Sequence, residues 1–214
     1  MNADDIARYL RTHPQFFDRH PELLETINVP HPYGGRAIPL AERQTVALRE
    51  KLKLLEGRLA ELLQFGEEND AISEKVHRLS VALVGARDFP ALAASLYFHL
   101  REDFAVPHVA LRIWGKSVPV DFAEAQPVDE AQRQHAGTMG APQCGAAAGN
   151  PFVPWFGEAA EHLRSMALVP LGQTTVFGLL ALGSEDPKRF FPEMGTLYLR
   201  RIGELCAAGV TARL

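Results

Sequence analysis

The chain has 214 residues, 47% of them apolar and 22% charged. Those are globular-protein values and exclude a mainly disordered chain. Twenty-two Lys and Arg stand against 26 Asp and Glu, a net charge of −4, so no global excess of positive charge points to a nucleic-acid backbone. No apolar run is long enough to span a bilayer, and the opening MNADDIARYL places acids where a signal peptide carries bases. Two cysteines, Cys144 and Cys206, are too few for a disulfide framework. The expectation is a cytoplasmic protein that engages neither membrane nor nucleic acid.

Residues 1–39 read as an arm of short helices. Asp4 is placed to cap a first helix bearing Ile6, Tyr9 and Leu10. Pro14 and Pro21 each suit the first position of a further helix, where a missing N–H costs nothing. Phe16, Phe17, Leu23, Leu24 and Ile27 supply apolar faces, and Val29 to Gly35 (VPHPYGG) reads as a loop. So short an arm cannot bury a core alone and must pack on a partner or on the next helix.

Residues from Leu40 to Val84 contain no proline and read as one long helix. Leu48, Leu52, Leu55, Leu59 and Leu62 alternate at spacings of four and three, a heptad seam with Leu52 and Leu59 at a. Gly66 and Asn69 interrupt the seam, and a break is expected from Phe65 to Asn69. Lys51 at g and Glu56 at the next e would pair across a parallel dimer. The alternative is an amphipathic helix packed on its own domain. The basic residues alternate with Glu42, Glu50, Glu56 and Glu61, as on a solvated helix face. Residues 40–70 are assigned to the dimerising helix and 71–214 to one α+β domain.

In that domain Asp88 caps a helix with Leu92, Leu96, Leu100 and Phe104 on one face. Alternation marks a strand over His108 to Trp114 and a weaker one over Ser117 to Phe122. Residues 123–161 are rich in Gly, Pro and Ala and read as loops around a short helix from Glu130 to His135. MALVPL (Met166 to Leu171) and VFGLLAL (Val176 to Leu182) read as strands joined at Gly172 to Thr174. A helix from Pro192 to about Arg213 ends the chain.

The Val-Pro-Leu strand, the turn, the strand GLLALGS, the Phe190-Phe191 loop and the final helix together resemble the ending of a GAF domain. Over nearly its full length the chain also resembles a bacterial family known only as domain-of-unknown-function family 484. The motifs that carry this are YLRTHPQFFDRHPELL, VPHPYGG, LAERQ, PQCG, VPLG and LGSEDPKRFFPEMGTLYL. The resemblance implies an antiparallel sheet flanked by helices, a dimerising helix before it and a helical arm, without an established activity. In GAF dimers the first and last helices form the interface, which makes Val76, Leu79, Leu83, Ile202 and Leu205 candidates there.

GAF domains hold small ligands between the sheet and a lid of loops. By that resemblance the pocket candidates are Leu111, Ile113, Cys144, Phe152, Trp155, Phe156, Ser165, Ala167 and Val169. The cyclic-nucleotide signature is incomplete: Lys188, a Phe and Glu193 are present, but the leading Asn and the Asp-Glu pair are not. The bilin-type Cys-His is absent, since Gly145 follows Cys144. The three His-Pro pairs lack the spacing that sets two ligands on one helix face, so no metal is expected. No Walker loop, Gly-x-Ser-x-Gly, His-Glu-x-x-His or Gly-x-Gly-x-x-Gly occurs.

The expectation is a non-enzymatic, dimeric sensory or regulatory module with no cofactor and with room for a small ligand. Its partner contact would lie on the arm. The alternatives are a ligand-free scaffold and a thiol-dependent enzyme centred on Cys144.

Overall fold

The computed structural model describes residues 2–29, 38–114, 118, 122–172 and 174–214. The chain divides into two compact units, Met1–Glu67 and Glu68–Leu214.

In the first unit, helix α1 (Ala3–Thr12) is capped by Asn2, two residues earlier than the predicted Asp4. Asn2 Oδ1 accepts from the Asp5 amide at 2.8 Å, and Asp5 Oδ2 accepts from the Asn2 amide at 2.9 Å. This reciprocal pair satisfies two donors that a helix start leaves open, which Asp4, already inside the first turn, does not do. Helices α2 (Phe16–Arg19) and α3 (Glu22–Thr26) follow. Pro21 occupies the cap of α3 rather than its first helical position, and Pro14 precedes α2 by two residues. Tyr9 stacks on His13 at 4.3 Å, and Phe16 meets Tyr9 and Phe17 edge-on at 6.1 and 5.4 Å. No described side chain of these helices is buried, in keeping with an arm too short to enclose a core. Strands β1 (Asn28–Val29) and β2 (Ile38–Pro39) pair antiparallel. Of the predicted VPHPYGG loop, Pro30 to Gly35 lie outside the described residues.

Helix α4 runs unbroken from Leu40 to Gly85, 46 residues, without the interruption expected at Phe65–Asn69. Gly66 and Asn69 are weak helix formers, but each costs about 1 kcal/mol or less and neither removes a backbone donor as proline would. The leucines of the seam, Leu48, Leu52, Leu55, Leu59 and Leu62, are 51–67% exposed in the single chain.

In the second unit, α5 (Phe89–Glu102) starts where Asp88 accepts from the Ala91 amide at 2.9 Å, as predicted. Its Leu92, Leu96 and Leu100 are fully buried. Strands β3 (His108–Ile113), β4 (Gln143–Ala146), β5 (Ser165–Leu171) and β6 (Gly178–Ser184) form one antiparallel sheet in the order β3-β6-β5-β4. Short 3-10 helices span Ala123–Ala125 and Val153–His162, and α6 spans Glu130–Thr138. Helix α7 (Leu197–Thr211) begins five residues after the predicted Pro192. Strand β4 was expected to be loop. The weaker predicted strand falls mostly on Ser117 and Pro119 to Asp121, outside the described residues, and Phe122 ends in a bend before the first 3-10 helix.

Both faces of the sheet are covered, which is why the strands read as continuous apolar runs rather than alternating ones. One face sets Leu111, Ile113, Val169 and Leu180 against α4, α5 and α7. The other sets Ala110, Met166, Leu168, Leu179 and Ala181 against Met139, Phe152 and Leu163. Helix α7 lies close on β5 because Gly203 has no side chain: a Cβ there would stand 2.5 Å from Val169 Cγ1. Val76, Leu79 and Leu83 on α4 and Ile202 on α7 are buried in this core, with Leu205 packed partly buried against it. Val76, Leu79, Leu83 and Ile202 are thus enclosed in their own protomer and offer little surface to a second one, which corrects their expected place in a dimer interface; Leu205 keeps part of its surface.

Candidate functional site

The nine predicted pocket residues do not line one cavity. Side chains along a strand point alternately to the two faces of a sheet. Leu111, Ile113, Ala167 and Val169 therefore face the helices, where Cys144 also packs. Ser165 is buried, donates to the Asp186 carbonyl at 2.6 Å and accepts from the Phe190 amide at 3.3 Å, so it anchors the loop after β6. Phe152, Trp155 and Phe156 lie on the opposite, lid side. The lid-facing strand positions are each one residue along, at Ala110, Met166 and Leu168.

On that lid side aromatic side chains pack against the sheet. Phe152 is fully buried, edge-on to His135 at 5.5 Å and to Trp155 at 5.0 Å. Trp155 Nε1 donates to Gln132 Oε1 at 3.3 Å, and Gln132 Nε2 donates to the Pro151 carbonyl at 2.7 Å. The Arg112 guanidinium lies 5.5 Å from the Trp155 ring and donates to the Leu111 carbonyl at 3.0 Å and to Gln126 Oε1 at 2.8 Å. Burial pulls Arg112 below its ordinary pKa, against the opposing effect of Tyr97 and Glu124. Tyr97 donates to Glu124 Oε1 at 2.6 Å, and burial with that carboxylate pushes the phenol far up, so Tyr97 stays a donor. Tyr97 thus fastens the first 3-10 helix to α5, and Arg112 fastens its end and the lid to β3. Sequence reading missed Arg112, Glu124 and Tyr97; the one available signal was an arginine in an apolar strand.

Burial disfavours the thiolate at both cysteines. Cys144 lies on strand β4 rather than in a loop, and burial raises its thiol pKa. Burial pushes the Cys206 thiol up to about 12. The thiolate is the reactive form, and both environments disfavour it at neutral pH.

A groove of about 770 Å³ opens at another place, between the turn before β4, the turn after β5 and the outer face of α7. Met139, Gly172 and Phe177 line it together with Arg200 and Glu204 of α7. Gly172 turns at φ +116°, and a Cβ there would fall 2.1 Å from the Thr175 carbonyl oxygen, so glycine is required. Of the nine predicted residues, Val169 lines this groove.

A family profile described as "Protein of unknown function, DUF484" matches residues 1–211. The chain belongs to this family. A curated relative, the Salmonella typhimurium protein described as "Uncharacterized protein YigA", is 24% identical over 205 residues, covering 92% of this chain and 86% of the relative. Among solved structures, the GAF domain of A. aeolicus nlh2 in an inactive state aligns at TM-score 0.47 and 14% identity, over 68% of this chain and 99% of that one. The GAF domain of the potassium sensor histidine kinase KdpD from Escherichia coli aligns at TM-score 0.43 and 18% identity, over 65% and 93%. Free methionine-R-sulfoxide reductase from Neisseria meningitidis, in complex with its substrate, aligns at 0.46 and 16%, over 66% and 89%. Within this DUF484 chain the expected antiparallel sheet flanked by helices is present. Among its described residues no helix is long and apolar enough to cross a membrane, and no group of three or more His, Cys, Asp or Glu is placed to hold a metal.

Proposed function

We propose that this chain is a non-catalytic regulatory module that works as a parallel homodimer and acts through a protein partner. The exposed leucine seam of α4 carries the reading. Leu48, Leu52, Leu55, Leu59 and Leu62 present one apolar stripe to water. Fully burying one leucine is worth about 1.5–3 kcal/mol, so a second copy of the stripe is a strongly favoured cover. In the parallel register Lys51 meets Glu56 of the partner, adding a steering charge pair. The arm, with Ile6 and Tyr9 at 44% and 49% exposure, is the surface for the partner protein.

The burial of Phe152 between lid and sheet supports one variation on this dimer, a scaffold with no ligand at the lid. The raised thiol pKa of Cys144 argues against the thiol-enzyme alternative.

The orientation is testable by cross-linking. In a Cys144→Ser background, Leu55→Cys at a d position is expected to form an interchain disulfide nearly completely under mild oxidation. Gly57→Cys, on the opposite side of the helix, is expected to remain monomeric on a non-reducing gel. Equal cross-linking at both positions, or none at position 55, would refute the parallel seam.

A further inference from the structure

The groove beside α7 has the size of a ligand pocket, whose usual range is roughly 300–1,000 Å³, at about 770 Å³. Opposite charges line it. Arg200 and Glu204 stand four residues apart on α7, which puts them on neighbouring turns of one face. Both line the groove. Two opposite charges so placed could pair with each other, yet among the described residues neither makes an ion pair or a side-chain hydrogen bond. The other arginines of this part of the chain are engaged: Arg201 lies 5.5 Å from the Tyr198 ring, and Arg213 reaches the carbonyls at the end of α4. The C-terminal end of α6 also borders the groove at Gly137 and Thr138. A helix C-terminus carries partial negative charge, which adds to Glu204 as a seat for a cation.

We infer that this groove binds a small zwitterion of the amino-acid type, its carboxylate on Arg200 and its ammonium on Glu204, with an apolar side chain toward Met139 and Phe177. A ligand of one sign would meet one favourable and one unfavourable charge there. A molecule carrying both signs a few ångströms apart satisfies both.

The groove also has a route to the dimer helix, and this part rests on the regulatory reading above. Tyr198 on α7 donates to the Asn69 carbonyl of α4 at 3.0 Å and lies 2.9 Å from Ser73 Oγ. Beyond the other end of α7, Arg213 donates to the Leu83 carbonyl at 2.9 Å and the Ala86 carbonyl at 2.7 Å. Helix α7 is thus tied to α4 near both of its ends, and a ligand that shifts α7 biases α4.

The test is calorimetric titration of the full chain with each of the twenty standard amino acids, and with the N-acetyl and amide forms of any that bind. At least one apolar amino acid is expected to bind. Each capped form, and each of Arg200→Gln and Glu204→Gln, is expected to bind about 10–100-fold more weakly, the usual consequence of losing one charge-assisted contact. Both positions are exposed, so the variants are expected to keep the wild-type fold and dimer by circular dichroism and sedimentation. Absence of binding by all twenty would overturn the proposal. So would an N-acetyl form that binds as well as its parent, which marks a simple anion site, or affinity unmoved by both substitutions. Binding to a chain that sediments as a monomer would strike the dimer reading and leave this site standing.

Discussion

Phe152→Ala is expected to lower the unfolding midpoint of the domain by roughly 10 °C. Phe152 is fully buried between the lid and the sheet, and it belongs to the cluster that includes Ala136, Met139, Leu163 and Leu179. Removing a buried phenylalanine costs about 3–5 kcal/mol through lost transfer energy and the cavity left behind. In a domain of this size each kcal/mol moves the midpoint by about 2–4 °C. Phe152→Leu, which keeps most of the volume, is expected to cost less than half as much. Thermal denaturation followed by circular dichroism measures both. A loss of under about 1 kcal/mol for the alanine variant would mean that the lid is not packed on the sheet.

Arg213→Ala is expected to be the second large loss, about 2–3 kcal/mol. Its guanidinium donates to the Leu83, Val84, Ala86 and Gly209 carbonyls at 2.7–3.1 Å. Three of these acceptors lie at or just past the end of α4, where carbonyls have no partner within the helix. The positive charge also suits the negative end of the helix dipole. Arg213→Lys keeps the charge but loses the planar fork, and is expected to recover at most half of the loss. Chemical denaturation reads the result. A lysine variant as stable as wild type would reduce the role of Arg213 to charge alone.

The helices of the α+β domain were legible because capping and period are local. Asp88 before Leu92, Leu96 and Leu100 specifies the start and the buried face of α5 in one short stretch. The pocket was not legible, for a physical reason. In MALVPL and GLLALGS both parities are apolar because both faces are covered, so the pattern does not say which residues meet the lid. Strand β4 was lost for a related reason: QCGA is four residues long, holds a glycine and follows a proline. The groove is assembled from residues near 140, 172 and 204, which no local pattern connects. The seam was legible as leucines, but its end was not. Beyond Asn69 the same helix turns its apolar stripe to its own core at Val76, Leu79 and Leu83.

The most direct test of the dimer is sedimentation equilibrium at micromolar concentration on the wild-type chain and on Leu52→Asp/Leu59→Asp. Both leucines are more than half exposed in the single chain, so the substitutions spare the fold of the protomer. The wild type is predicted to have twice the chain mass, and the double variant the mass of one chain with an unchanged circular dichroism spectrum of its sheet domain. A monomeric wild type, or a double variant that stays dimeric, would contradict the leucine seam as the dimer interface.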